Sequence, residues 1–292
     1  MSHKSGFVNI IGKPNVGKST LMNILVGERL SIITSKAQTT RHRIHGILNS
    51  PDYQIVFSDT PGILDPSYKL QENMLKAARS ALQDADVILY MTDTSETPDE
   101  QDPFISKLGK MHIPVLLLIN KIDLSNQEQV RELIDAWELL LPKAEKIPVS
   151  ALKKFNTDLV FKRIIENLPE APPYYPKDQL TDKSERFFAG EFIREKILNY
   201  YKQEIPYSVE IEIDSFKESK EIIKINAIIY VERESQKGIL IGNEGKSLKK
   251  VGRQARIDME EFFNKKVFLQ LFVKVKKDWR NDERQIRKFG YH

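Results

Sequence analysis

The 292-residue chain is 40% hydrophobic and 29% charged, the proportions of a soluble globular protein, and its length suits about two domains. It contains no cysteine, which excludes disulfides, zinc–thiolate centres and thiol catalysis and agrees with a reducing cytoplasm. The formal charge of +4 is unevenly placed: residues 237–292 carry 15 Lys or Arg against 7 Asp or Glu, and the rest carries 30 against 34. That distribution suits a polyanion-binding end on a near-neutral body, with a solvated lysine-rich surface as the plain alternative.

The apolar stretch near the amino terminus is too short for a signal-peptide core, and no apolar run approaches a membrane span. A soluble, cytoplasmic monomer is expected. In chain order, residues 7–11, 44–49, 54–58, 87–91, 115–119 and 146–149 are apolar runs of strand length. Most are separated by helix-length amphipathic segments at 18–26, 71–83, 100–107, 127–140 and 157–167. This alternation predicts an α/β domain with a mostly parallel six-stranded sheet. The one short connection contains Pro51-Asp52 and predicts an antiparallel hairpin.

Residues 169–176 hold four prolines, which exclude helix interior and central strand. The first domain is therefore expected over 1–170, a Pro-rich linker over 171–182 and a second domain over 183–292. There the order changes to helix 184–202, strands 209–216 and 222–231, a short helix, a glycine loop, helix 246–263, strand 266–274 and a short terminal helix. This is an α+β pattern, αββααβ.

Gly12-Lys13-Pro14-Asn15-Val16-Gly17-Lys18-Ser19 follows the first strand and opens the first helix, the setting that a G-x-x-x-x-G-K-[ST] phosphate loop requires. The glycines let backbone N–H groups close around a β-phosphate, Lys18 brings a point charge to the β/γ oxygens, and Ser19 offers a hydroxyl to Mg2+. The helix start, with Thr20 in its first turn, adds its positive dipole end. A glycine turn capping a helix is the plain alternative. Asp59-Thr60-Pro61-Gly62 follows the third strand. Asp59 there can hold the Mg2+ shell and the Gly62 N–H can meet a γ-phosphate.

Asn120-Lys121-Ile122-Asp123 comes directly after the 115–119 strand. A carboxylate at Asp123 can accept both guanine N1–H and the exocyclic amine, and it would be left unpaired opposite adenine. The Lys121 stem can lie over the purine, and Asn120 can tie this loop to the phosphate loop. Ser150-Ala151-Leu152 follows the next strand, where the Ala151 N–H could meet guanine O6. Each motif alone has little specificity; their succession at neighbouring strand ends, where α/β sheets collect ligands, carries the reading.

GKPNVGKS, DTPG, NKID and SAL in this order resemble the translation-factor-related branch of small GTPases, which share the Ras-like fold. The resemblance implies GTP and GDP as ligands and a switch threonine on Mg2+ and the γ-phosphate, assigned to Thr40 with Thr39 as the alternative. Lys18, Thr40, Gly62 and Asn15 make up the expected catalytic set, and Ser19, Thr40 and Asp59 the metal ligands. Ras-like enzymes place a water-orienting Gln straight after the DxxG glycine; here stands Ile63, which cannot hydrogen-bond a water. Hydrolysis is then slow, or the water is oriented from elsewhere. Relatives with an apolar residue there often carry an asparagine at the position of Asn15. This implies that Asn15 helps to hold K+ near the transferring phosphates, with a loop-shaping role as the alternative.

Gly242-Asn243-Glu244-Gly245 lies between two helical stretches, with Ile239 and Ile241 before it and Lys246, Lys249, Lys250 and Arg253 after. Inside an αββααβ order this fits a KH domain, whose GxxG loop clamps single-stranded RNA backbone. Ile239 and Ile241 are expected as walls of an apolar groove and the four cations as its rim; a helical hairpin with a glycine turn is the alternative. Glu244 departs from the basic residue that relatives often carry.

With both parts in place, residues 5–291 resemble the Era family of ribosome-assembly GTPases. The resemblance implies binding near the 3′ end of small-subunit ribosomal RNA on the assembling small subunit, with GTP state gating RNA affinity. It also implies peripheral association with the inner face of the membrane. Two other readings are an RNA chaperone that holds GTP with little turnover and a P-loop phosphotransferase, the latter opposed by Asn120 and Asp123.

Overall fold

The computed structural model describes residues 3–291. Six strands build the first sheet: β1 (Lys4–Ile11), β2 (Ile44–Asn49), β3 (Tyr53–Asp59), β4 (Val87–Asp93), β5 (Val115–Asn120) and β6 (Glu145–Pro148). Their spatial order is β2-β3-β1-β4-β5-β6. β2 pairs antiparallel with β3 across the Pro51-Asp52 turn, and every other pair is parallel. All seven residues of β4, Val-Ile-Leu-Tyr-Met-Thr-Asp, are buried, as a parallel strand covered on both faces must be.

The connecting helices are α1 (Lys18–Val26), α2 (Lys69–Ser80), α3 (Pro103–Gly109), α4 (Gln127–Leu140) and α5 (Thr157–Asn167). Trp137 of α4 is fully buried in a cluster with Tyr90, Leu117, Ile105 and Leu108, so α3 and α4 seal one face. α3 starts later than its apolar pattern suggests because Asp102 caps it, accepting from the Phe104 N–H, and Pro103 occupies its first turn. The parallel strands put Ile11, Asp59, Asp93 and Asn120 at their carboxyl ends, on one edge of the sheet. The chain's order reverses at β1, which lies between β3 and β4, and the phosphate loop follows that strand.

The second fold comprises α6 (Glu185–Tyr200), α7 (Ile205–Ser208), β7 (Glu210–Glu218), β8 (Ile222–Val231), α8 (Glu234–Ile241), α9 (Lys246–Phe263), β9 (Lys266–Val275) and α10 (Glu283–Lys288). The sheet order is β7-β8-β9, antiparallel then parallel. In β8 the alternate residues Ile223, Ile225 and Ala227 are buried, the two-residue period of a strand packed under helices, and from Ala227 to Val231 every residue is buried. α6 and α9 interlock through Phe188, Phe192 and Phe262. This is the expected αββααβ arrangement, with the one-turn α7 added. Among the described residues no helix is long and apolar enough to cross a membrane.

The chain divides into two compact units. The first holds the stretch up to Ser31, Thr40–Asp65 and Met74–Asp182; the second holds Ile32–Thr39, Pro66–Asn73 and everything from Lys183. Two segments from the first domain's sequence range thus pack with the second. The stretch 171–182, expected as a linker, is strapped to β2 and β3 within the first unit. Gln54 accepts from the Tyr174 and Tyr175 N–H groups at 2.7 and 2.9 Å, and the Leu180 carbonyl accepts from the Ile47 N–H at 2.7 Å. Proline has no donor, but its neighbours still bond, and here they cover the outer edge of β2.

Candidate functional site

Residues 12–17 turn sharply between β1 and α1. Gly12 sits at φ 155°, and a Cβ there would fall 2.0 Å from the Met91 carbonyl oxygen, so a side chain is excluded. The Lys18 ammonium is buried and donates to the Gly12 and Lys13 carbonyls at 3.1 and 2.7 Å. Burial pulls its pKa down to about 8, opposed by the charges of Asp59 and Glu96. Lys13 is held by an ion pair to Glu96 at 2.7 Å.

Three oxygen donors converge beside Lys18. Ser19 Oγ donates to Asp59 Oδ2 at 2.7 Å, Thr40 Oγ1 to the same oxygen at 3.1 Å, and the two hydroxyls lie 2.9 Å apart. Asp59 Oδ1 is buried without a hydrogen-bond partner, and burial raises the carboxyl's pKa against the bond from Ser19. Two hydroxyls and a carboxylate with one oxygen to spare form a hard-oxygen set of the kind Mg2+ takes alongside phosphate. Thr39 faces elsewhere, its hydroxyl on Thr34 and the Lys36 carbonyl, so of the two threonines only Thr40 joins the cluster. Thr60 is turned to the Ile10 carbonyl at 2.8 Å, and Gly62 lies against Pro14. Ile63 donates its N–H to the Gly12 carbonyl and packs its side chain onto the Trp137 cluster. Asn15 is exposed at the loop tip with φ 65°.

Asn120 staples three loops. Its Nδ2 donates to the Val16 carbonyl at 2.7 Å, and its Oδ1 accepts from the Ala151 N–H at 2.9 Å. The Ala151 N–H, expected to meet guanine O6, is bonded to Asn120 here. Ser150 Oγ donates to Asp123 Oδ1 at 2.6 Å and fixes that carboxylate, while Leu152 is 75% exposed. Lys121 donates to Asp93 Oδ2 at 2.6 Å, which sets the direction of its stem. Asp93 and Glu96 belong to no motif of the sequence. The available signal was an acid at the end of β4, between the strand ends that carry Asp59 and Asn120.

In the second unit the GxxG loop is held open by geometry. Gly242 has φ 69°, and a Cβ would fall 2.2 Å from Ser247 Oγ; Gly245 caps α9 with φ 74°. Asn243 and Glu244 are exposed, and Glu244 pairs with Lys246 at 2.9 Å in full solvent, an arrangement worth little. Between α9 and β9 runs a groove of about 520 Å3, rimmed by Lys249, Arg253 and Arg256. Its walls are Leu248, Val267, Leu269 and Leu271, while Ile239, expected as a wall, is exposed on α8 beside the GxxG loop. β9 is an edge strand that turns alternate apolar residues toward α9, and that pairing is invisible from the loop's own neighbourhood. Lys250, expected on the rim, lies over the Tyr200 ring at 4.3 Å, and Arg256 takes its place at helical spacing from Lys249 and Arg253.

The second unit also grips the switch segment. Arg194 of α6 is 1% exposed, donates to the Thr39 carbonyl at 2.5 Å and the Gln38 carbonyl at 3.4 Å, and is paired with Glu191. Residues 66–73 are bound likewise: the Leu70 N–H donates to the Arg280 carbonyl at 3.0 Å, Arg280 stacks over Tyr68, and Lys69 pairs with Glu283 at 2.9 Å.

Residues 7–121 match the model of the 50S ribosome-binding GTPase family, and residues 204–280 match the KH domain model. The chain is 46% identical to GTPase Era of Alkaliphilus metalliredigens over 100% of both chains. It is 48% identical to GTPase Era of Syntrophus aciditrophicus over 99% of this chain and 95% of that one. The chain belongs to the GTPase Era family. A solved Era of Aquifex aeolicus, a point variant bound to GDP·AlF4−, superposes with TM-score 0.94 at 41% identity over 99% of each chain. An Era structure in complex with MgGDPNP and nucleotides 1506–1542 of 16S ribosomal RNA fits with the same TM-score, identity and coverage. As an Era-family GTPase the chain hydrolyses GTP, and its Ras-like and KH folds are those the sequence implied.

Proposed function

We propose that this GTPase binds small-subunit ribosomal RNA near its 3′ end and acts as a nucleotide-gated checkpoint in small-subunit assembly. The carrying observation is that Arg194 of the KH unit holds the Gln38 and Thr39 carbonyls, and the next residue, Thr40, joins the Ser19–Asp59 cluster. A γ-phosphate that draws Thr40 onto Mg2+ therefore pulls on a segment anchored to the RNA-binding fold. The relative solved with MgGDPNP and a 16S fragment supports both ligands.

In this reading the phosphate loop from Gly12 to Thr20 cradles the phosphates, with Lys18 as the counter-charge. Ser19, Thr40 and Asp59 hold Mg2+, which would screen charge on the transferring phosphoryl group. Thr60, Pro61 and Gly62 line the γ-phosphate side, and Asp123 selects guanine, with the Lys121 stem and the 150–152 loop around the base. Ile63 is committed to the core and offers no hydrogen bond to water, so intrinsic turnover is slow. Asn15, at the exposed loop tip, helps to hold K+ there; equal turnover in K+ and Na+ buffers would remove that role. In the KH fold RNA runs along the GxxG loop, from Gly242 and Asn243 to Gly245 and Lys246, and into the α9–β9 groove.

The test measures RNA affinity with a GTP analogue and with GDP, and phosphate release with and without the 3′-end RNA. Distinct affinities and faster release with RNA are expected, and Arg194→Ala brings the two affinities together. Equal affinities in the unmodified protein overturn the gate, and unstimulated release favours an RNA chaperone that merely holds GTP.

A further inference from the structure

The KH sheet has a second face, turned away from α6 and α9. Cross-strand register places Lys217, Lys224 and Phe268 in one row of that face, Ser215, Asn226 and Gln270 in the next, and then Glu212, Ile228 and Phe272. Phe268 and Phe272 are 48% and 49% exposed, high values for phenylalanines on a sheet. Tyr230 and Lys274 form the last row, where the terminal segment covers the sheet: Phe289 stacks on Tyr230 at 5.4 Å. The cover reaches the next row on β7 and β8, where Ile228 is buried and Lys288 meets Glu212, but it leaves Phe268 and Phe272 of β9 half-exposed.

The charge of this face is one-sided. Lys217, Lys224, Lys266 and Lys274 are all exposed, and none is in an ion pair among the described residues. The carboxylates of β7 are largely engaged: Glu210 accepts from the Tyr291 hydroxyl at 2.8 Å, Glu212 from the Tyr230 hydroxyl at 2.7 Å and from Lys288 at 3.0 Å, and Glu218 pairs with Lys265. Asp214, in the bulge, is the exposed exception. Unpaired lysines around solvent-facing aromatic rings, with amide side chains between them, are the equipment for single-stranded nucleic acid. Bases stack on the rings, and phosphates meet the ammonium groups. A protein partner burying two phenylalanines would leave the surrounding lysines desolvated and without counter-charge.

The face is also continuous with the groove. β9 is the edge strand, so its helix-facing residues line the groove while Phe268 and Phe272 point to the other side; Phe268 itself borders the groove. We infer that the open face of the KH sheet is a second single-stranded RNA surface. The strand leaving the GxxG groove folds around the β9 edge past Phe268, and its following bases stack on Phe272 among Lys224 and Lys274. The inference rests on the groove being the primary RNA site.

The experiment compares two RNAs of small-subunit 3′-end sequence, about 6 and about 14 nucleotides long, the shorter only enough to span a clamp of four nucleotides. Binding to the full chain is followed by fluorescence anisotropy at several salt concentrations. The longer RNA is expected to bind at least about tenfold more tightly, the contribution of one or two stacked bases. Phe272→Ala with Lys224→Ala and Lys274→Ala, all surface positions outside the groove walls, should abolish that gain, leave the short RNA's affinity within about twofold and flatten the salt dependence for the long RNA. Lys224→Glu with Lys274→Glu, which keeps Phe272, should remove most of the gain if phosphates are bound. A gain that survives both variants, or no gain in the unmodified protein, overturns the inference. Failure of both RNAs to bind overturns the groove reading itself, a distinct result.

Discussion

At the nucleotide site most polar groups are buried and hold one another: Lys18, Thr40, Asp59, Asn120 and Ser150 are at most 8% exposed, and the exposed Asp123 is fixed by the buried Ser150 hydroxyl. Around the KH groove, Lys249, Arg253 and Arg256 stand in solvent. Buried groups that each position several others lose much when one is changed, and their effects do not add. Exposed cations on a polyanion act almost independently and are screened by salt. Guanine recognition should therefore fail abruptly under single substitutions, while RNA affinity should erode in small steps unless the backbone of the loop is disturbed.

The sharpest way to break this contrast is Asp123→Asn. It should turn nucleotide preference from GTP toward xanthosine triphosphate, by a factor on the order of 10^4 in relative affinity, measured by competition binding. Retained GTP preference would refute the base site. Next comes the loop itself. Gly242→Asp with Gly245→Asp forces side chains and like charge into the phosphate path and should weaken RNA binding by about 100-fold, with GTP affinity unchanged.

Lys18 gives a smaller, pH-dependent effect. Burial holds its pKa to about 8 in the free protein, and a neighbouring phosphate favours the charged form and raises that value. Below pH 8 the ammonium is already charged and GTP affinity should be flat. Above it, binding must take up a proton, so affinity should fall by up to about tenfold per pH unit until the raised pKa no longer matters. Calorimetry in buffers of different ionisation heat would show the proton uptake; an affinity independent of pH would separate Lys18's burial from its charge. The smallest effects belong to the rim. Lys249→Ala should cost a few-fold in RNA affinity and lower the salt slope by about 1, whereas Lys250→Ala, directed at Tyr200, should change both by less than about twofold. Similar losses at the two positions would return Lys250 to the groove.

The nucleotide site was legible because its motifs are contiguous. Asp59 and Asn120 end apolar strands, Asp123 comes three residues after Asn120, and Lys18 and Ser19 close the short loop after β1; parallel strands deliver these carboxyl ends to one edge. The KH order was legible from its period changes and its glycines. The α3 boundary is encoded locally in Asp102-Pro103, a cap and a first-turn proline that override the apolar pattern. The walls of the groove were not legible from the loop. Val267, Leu269 and Leu271 alternate like any strand, and only their pairing with α9 marks them as walls.

From the sequence by itself came the chemistry of the parts: a phosphate loop, a guanine-selecting carboxylate, an apolar Ile63 where Ras-like enzymes carry a water-orienting Gln, and a GxxG loop among cations. Local backbone rules govern these, since a glycine turn or a strand end acts through its own neighbours. Only the tertiary structure decided how the parts are joined. Asn120 reaches Val16 across 104 residues, and Arg194 reaches Thr39 across 155. The same closure engaged the Ala151 N–H, strapped the Pro-rich stretch to β2 and gave residues 32–39 to the KH unit. Contacts of that range depend on which surfaces meet once the chain has closed, and no periodicity within either segment encodes them.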